Sequence, residues 1–271
     1  MHQTIYRIVS IVLFMLSLVG TLAVAQTPNT ADSSPYAQAM AVLKRTADFM
    51  SQTQRFSVMV DTGFDVVQDS GQKLEFGETR KIVVRRPNHA RIDITKRDGD
   101  TSGFIFDGQE IAMFNTREHV YATAAKPGTF DEAIDYFINT LDMRFPLAEM
   151  FSNQLAEKLP TSIRAAYSVG QESIAGVACD HLAFRGDQAD LQLWIAQGSQ
   201  PLPCRLVITY KQAEGLPQFW AQFGDWNLVP DVPDSLFVFT PPEGATKIAF
   251  ASRKPVQSEA RGRKGQKGGR P

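Results

Sequence analysis

Residues 82–125, IVVRRPNHARIDITKRDGDTSGFIFDGQEIAMFNTREHVYATAA, decide the fold of this chain. Apolar side chains recur at every second position, Ile82 with Val84, Ile92 with Ile94 and Phe104 with Phe106. That is the period of a strand with one face buried. Turn-forming residues cluster at Arg86-Pro87-Asn88, Asp98-Gly99-Asp100, Asp107-Gly108 and Asn115-Thr116. Alternating segments with such breaks between them make an antiparallel meander. Successive side chains on a strand point to opposite faces, so Ile82, Val84 and Arg86 share one side and a cation ends an apolar row. If that row lines a concave sheet, the Arg86 guanidinium stands at its rim, able to donate to backbone carbonyls or to a ligand head group. The plain alternative is a surface arginine snorkelling from a strand end.

Upstream, Ser34 can cap a helix with Pro35 in its first turn, followed by Tyr36, Ala39, Met40, Leu43, Ala47 and Met50 at helical spacing. Residues 56–67 switch to period two, with Phe56, Val58, Val60, Phe64 and Val66 on one face. Gln68-Asp69-Ser70-Gly71 turns the chain, and residues 73–86 return as a second strand. Downstream, Thr129 and Glu132 form a capping box ahead of the stripe Phe130, Ala133, Ile134, Phe137 and Leu141. Pro146 begins a second expected helix carrying Leu147, Met150, Phe151 and Leu155. Strands are then expected over 163–169, 177–185, 189–196, 204–210 and 219–228, with short turns between them and a last strand over 236–239. Helices that interrupt a long series of strands pack their apolar faces on the open mouth of the sheet. The expected fold is therefore mainly β with helices (α+β). It is a strongly curved antiparallel half-barrel of about eleven strands, with an N-terminal helix and, over the concave face, a helix pair that is either a helical lid or a permanently packed part of the core.

With 271 residues, 43% of them hydrophobic, the chain can bury a sizeable core, and an all-β architecture of this length can remain one domain. Arg7, an apolar run over 8–19 and the small residues Ala23-Val24-Ala25 read as a signal peptide over 1–25, so that the mature chain begins at Gln26. The apolar run is short against the roughly 20 residues that span a bilayer. No cysteine lies beside the cleavage site to accept a lipid anchor, so the expected product is a soluble periplasmic protein.

Residues 26–250 form the expected domain, and residues 251–271 read as a disordered basic tail. The tail carries Arg253, Lys254, Arg261, Arg263, Lys264, Lys267 and Arg270 against Glu259 alone, a net +6 in a chain whose total is −1. It is a solubilising end or a contact for an anionic membrane surface or an envelope protein. No basic surface interleaved with aromatics accompanies it, so nucleic acid is not an expected partner.

Catalytic patterns are absent from the sequence. His89, His119 and His181 share no HExxH or cysteine-histidine spacing, which argues against a metal site. His181 next to Asp180 lacks any GxSxG elbow, and no phosphate-binding glycine loop occurs, so no cofactor is expected. Cys179 and Cys204 are a candidate disulfide. An oxidising compartment favours the bridge. A strand lying between them, which places them roughly 9 to 10 Å apart, opposes it.

The Arg86-Pro87-Asn88 strand end, the Asp107-Gly108-Gln109 opening and FVFTPPEG at 237–244 together resemble the lipoprotein-localisation factors, the LolA/LolB-like superfamily. The stretches CDHLAFRG (179–186) and LWIAQGSQPLPCRLVITY (193–210) are similar to a family of predicted periplasmic proteins of unknown function with the same fold. The first resemblance implies that Arg86 is a latch holding a helical lid closed. The implied function is a non-enzymatic, monomeric periplasmic carrier or chaperone that binds a lipid, acyl chain or lipidated segment. Its expected cavity residues are Ile82, Val84, Phe104, Phe106, Ile134, Phe137, Leu141 and Phe219. The alternative is a sensor or interaction module of the cell envelope that transports nothing.

Overall fold

The structure is a computed structural model and describes residues 34–141 and 147–250. The segments read as signal peptide and basic tail lie outside those residues, as does Pro146. Helix α1 (Pro35–Gln52) starts as its sequence requires: the Ser34 hydroxyl accepts from the Ala37 N–H at 3.1 Å, and the stripe Ala39, Leu43, Ala47 and Met50 is buried. A first meander follows, β1 (Arg55–Val67), β2 (Lys73–Arg85), β3 (His89–Lys96), β4 (Thr101–Phe106), β5 (Glu110–Asn115) and β6 (Val120–Ala125). Helix α2 (Phe130–Asn139), a single 3-10 turn (Glu149–Phe151) and helix α3 (Leu155–Ser162) interrupt the strands. The second meander is β7 (Ile163–Ile174), β8 (Val177–Gly186), β9 (Ala189–Ala196), β10 (Pro203–Tyr210) and β11 (Gln218–Asn227), and a two-residue β12 (Thr246–Lys247) ends the series.

All twelve strands form one open, curved sheet in the order β12-β6-β5-β4-β3-β2-β1-β11-β10-β9-β8-β7. Within each meander neighbours in sequence are neighbours in space, as short turns dictate. The antiparallel β1–β11 pair, which sets Phe64 opposite Phe219, joins the two meanders into one surface. Helices α1 and α2 lie on the concave side. Their apolar stripes share one core with Phe56, Val58 and Val60 of β1, Ile82 and Val84 of β2, and Leu182, Leu193, Leu206 and Phe223 of the second meander. A sheet with one face buried needs such a cover, because an open concave face would leave its apolar rows in water.

The basic pair Arg85-Arg86 is divided between the two faces. Arg86 points to the helices. On the convex side Arg85 donates to the Val232 carbonyl at 2.9 Å, pairs with Asp234 at 2.6 Å and stands 5.0 Å over the Phe237 ring. Phe237 is itself 1% exposed against Val83 and Val232.

Here the structure corrects the sequence reading. The strand expected over 236–239 is a 3-10 turn, Asp234–Phe237, laid across the back of the sheet. Prolines at 230, 233, 241 and 242 leave too few donors there for a ladder. The twelfth strand comes later, at β12, which pairs parallel to β6. A second correction concerns the helix carrying Leu147, Met150, Phe151 and Leu155. It is split into the 3-10 turn and α3, because side chains take the backbone donors between them. The Asn153 N–H donates to Asp131 at 2.9 Å and the Gln154 N–H to the Ser152 hydroxyl at 3.0 Å.

Cys179 and Cys204 lie on the convex face, packed with Trp194, and both are free thiols. The register shift between Pro203 and Arg205 bulges β10 at Cys204 and brings it toward Cys179 across β9. Burial first, and the neighbouring Cys179 thiol second, push the Cys204 pKa up to about 12. His181 stacks on Trp194 at 4.1 Å, with Glu172 at 3.0 Å and Gln192 at 3.1 Å from its two ring nitrogens.

Two outcomes follow from this architecture. Thr129 and Glu132 close the capping box of α2, with the Glu132 N–H donating to the Thr129 hydroxyl at 3.3 Å and the Thr129 N–H to the Glu132 carboxylate at 2.7 Å. Thr129→Ala is expected to cost ~1 kcal/mol in denaturant unfolding, with the loss of amide protection concentrated in α2. In the reduced native protein, neither thiol is expected to react with a maleimide at pH 8, because both are buried away from the reagent and the raised pKa of Cys204 also denies it the attacking thiolate. Rapid labelling of the folded chain would contradict the burial described.

Candidate functional site

A cavity of about 60 Å³ lies between the concave face of β2–β5 and the underside of α2. Its floor is the row Arg80, Ile82 and Val84 of β2, with Ala90, Ile92 and Ile94 of β3, Phe104 of β4 and Met113 of β5. Its roof is Phe130, Ile134, Phe137 and Ile138 of α2, continued by Leu147, Ala148 and Phe151. The strand period puts the floor residues on one face, and the i, i+4, i+7 spacing of Phe130, Ile134 and Phe137 puts the roof residues on another. Phe104 and Phe137 meet edge to face at 5.3 Å. Phe151 also touches Phe56 of β1, at 5.4 Å.

Of the residues expected from sequence, Ile82, Val84, Phe104, Ile134 and Phe137 line this cavity. Phe106, Leu141 and Phe219 do not line it; they are buried in the same core. Sequence reading missed Arg80, Met113, Phe130 and Phe151 as lining. Arg80 falls on the Ile82–Val84 row two residues earlier, but a charged residue there reads equally well as a solvated one. Met113 was not legible, because β5 shows no clean alternation.

At one end of the cavity, Arg86 closes the structure. Its Nη2 donates to the Phe151 carbonyl at 2.7 Å and to the Met50 carbonyl at 3.4 Å, and its Nε to the Thr53 carbonyl at 3.2 Å. Met50 and Thr53 belong to the C-terminal end of α1, where unpaired carbonyls and the helix dipole both favour a cation. Phe151 belongs to the 3-10 turn that follows α2. One guanidinium therefore ties two separate parts of the helical cover to the sheet. Burial lowers its pKa and Asp131 opposes that shift. Nη1 is buried with no hydrogen-bond partner among the described residues. Next to it, the Phe130 N–H donates to the Pro87 carbonyl at 2.8 Å, fixing the start of α2 to the same turn.

At the other end the concave row runs out beyond the cover. Glu78 and Arg80 form an ion pair, and past them Phe64 and Phe76 are 40% and 50% exposed, with rings stacked at 6.0 Å. Val66 and Leu74 continue this exposed apolar patch as a directly opposed cross-strand pair. Among the described residues no cluster of His, Cys, Asp or Glu could hold a metal ion, and no helix is long and apolar enough to cross a membrane.

Among solved structures, the lipoprotein LppX of Mycobacterium tuberculosis is similar at 15% identity and a TM-score of 0.47, over 72% of this chain and 98% of that one. LprF of Mycobacterium bovis is similar at 13% identity and a TM-score of 0.46, over 79% of this chain and all of the other (100%). A LolA superfamily protein of Nitrosomonas europaea is similar at 13% identity and a TM-score of 0.36, over 74% and 97%. No curated protein matches the chain. The family model described as predicted periplasmic protein (DUF2092) matches residues 39–251, and the chain belongs to that periplasmic family.

Proposed function

We propose that the protein is a non-enzymatic periplasmic carrier that holds an acyl chain, of a lipid or a lipidated segment, between the concave sheet and α2, which acts as a lid latched by Arg86. The observation that carries this reading is the pairing of an almost wholly apolar cavity with a single buried arginine that ties the cover shut. In this reading residues 1–25 direct export, residues 26–250 are the carrier domain, and the basic tail 251–271 brings it to anionic lipid.

Magnitudes set how the lid must work. A cavity that admits a benzene ring has about 150 Å³; the space under α2 is about 60 Å³. A chain therefore enters only by displacing the roof. Lifting Phe130, Ile134 and Phe137 off the sheet exposes three large side chains at ~1.5–3 kcal/mol each, in total roughly 5–9 kcal/mol as an upper bound. A chain that takes their place recovers ~0.8 kcal/mol per methylene, so roughly six to eleven methylenes balance the lid. Short chains leave it closed and long ones open it, since a ligand shifts such an equilibrium only by its differential affinity for the two states.

Native mass spectrometry with saturated fatty acids is expected to show palmitate bound and hexanoate unbound. Binding of neither, together with no co-purifying lipid from the native envelope, would overturn the carrier reading. Arg86→Ala is expected to cost about 2–4 kcal/mol, because it strands buried carbonyls as well as removing the guanidinium. Hydrogen exchange should show the loss at the end of α1 and around 149–151, with faster uptake of a fluorescent fatty acid. Arg86→Lys should recover only part of it, as one ammonium cannot reach carbonyls on two separate segments.

A further inference from the structure

We propose that the Glu78–Arg80 pair is the head-group site of this cavity and selects an amphiphile whose head carries both a negative and a positive charge. The inference rests on the carrier reading and names the class of ligand that reading leaves open.

Both side chains stand on the concave face of β2, two and four residues beyond Ile82 in the row that floors the cavity. They are largely withdrawn from water, at 15% exposure for Arg80 and 13% for Glu78. Arg80 lies directly opposite Val60 on one side and Ile94 on the other, so its surroundings are apolar. An ion pair in such a place repays its desolvation poorly on its own, and apolar residues of similar volume would serve the fold at least as well. That a pair sits there, at the boundary between the covered cavity and the exposed Phe64–Phe76 patch, points to recognition.

The pair is also incompletely used. Arg80 Nε and Nη2 both contact the same Glu78 oxygen, Oε1, at 2.7 and 2.6 Å. Among the described residues neither Arg80 Nη1 nor Glu78 Oε2 makes a hydrogen bond, and neither is a buried unsatisfied atom, so one strong donor and one strong acceptor remain open to water or to a ligand. The charges around them are matched. Lys96, in register with Glu78, is bound to Asp100 at 2.8 Å, and Arg97 to Glu75 at 2.9 Å.

Because the locality carries no net charge, a purely anionic head meets the Glu78 carboxylate and a purely cationic one meets Arg80. A neutral head leaves the pair as it is. A head with phosphate and ammonium satisfies both open positions: phosphate accepts from Nη1, for which guanidinium is well suited, and ammonium donates to Oε2. With the head held there, the chain runs inward along Ile82 and Val84 beneath α2.

The test compares three single-chain amphiphiles with one acyl chain: lysophosphatidylethanolamine, lysophosphatidylglycerol and monoacylglycerol. Affinities are measured by calorimetry on the purified full chain. The zwitterionic head is expected to bind about tenfold more tightly than either other head, the increment of one charge-assisted hydrogen bond. Glu78→Gln and Arg80→Gln should each abolish that preference, so that the three heads bind within about twofold of one another. The exchange of the two residues, Glu78→Arg with Arg80→Glu, should restore it. Equal affinity for the three heads, or a preference for the anionic one, overturns the head-group site and leaves the carrier reading standing. Binding of none overturns both.

Discussion

An open sheet that curves has one face that cannot be left to water and cannot be covered by closing the sheet upon itself. In this protein the constraint is met at a single turn. Arg85 and Arg86 are adjacent in sequence, and the strand period sends them to opposite faces. Arg86 gathers the end of α1 and the turn after α2 onto the concave side; Arg85 gathers the proline-rich C-terminal segment onto the convex side. Neither could do the work of both. A lysine at either position would offer a point charge where several carbonyls, or a carbonyl and a carboxylate, have to be met at once.

The edges of the sheet are handled in two ways. The C-terminal segment crosses the back of β2–β6, where Phe239 meets Phe114 at 6.1 Å and Tyr121 at 5.6 Å. It then pairs β12 with the open edge of β6, and Phe250 reaches Phe137 of α2 at 6.1 Å. Two strand residues thus cover an edge and carry the chain from the convex side to α2. At the far edge β7 packs against α1. Its register breaks between Ile163 and Ala165 and again between Ser168 and Gly170, and irregular edges of this kind resist pairing with a second sheet.

Much of this was legible because the chain obeys one period at a time. The strands from β1 to β11 alternate cleanly or are bounded by turn residues, so their existence and order follow from local chemistry, and Ser34 and Thr129 mark two helix starts. Three features were hidden for physical reasons. Phe237-Val238-Phe239 alternates like a strand, yet its flanking prolines and the pull of Arg85 make it a packed turn. β12 is two residues long and too short to show any period. The break between the 3-10 turn and α3 depends in part on Asp131, a residue of another helix, which no local pattern announces. At the site, Arg86 was recognisable as the odd member of an apolar row. Arg80 and Glu78 belong to the same row but have the composition of a solvated strand, and only their low exposure separates the two cases.

Whether α2 is core or lid turns on how it is held. Ten residues are too few for a helix to persist alone in water, so α2 exists because its apolar face is covered and its first turn is capped. The cap is internal to the helix, since Thr129 and Glu132 serve each other, and it would travel with α2. Asp131 and Asp135 tie α2 to the backbone of Asn153 and to Lys158, so the helix and the segment after it are joined to one another. Two polar attachments from this unit to the sheet meet at the Arg86-Pro87 turn, through the Arg86 guanidinium and the Pro87 carbonyl. The cavity lining under α2 is mostly apolar, and such contact is non-directional, indifferent to whether phenylalanine rings or methylenes supply it. In the proposed carrier that segregation is what would let α2 release the sheet at one end and exchange one apolar surface for another.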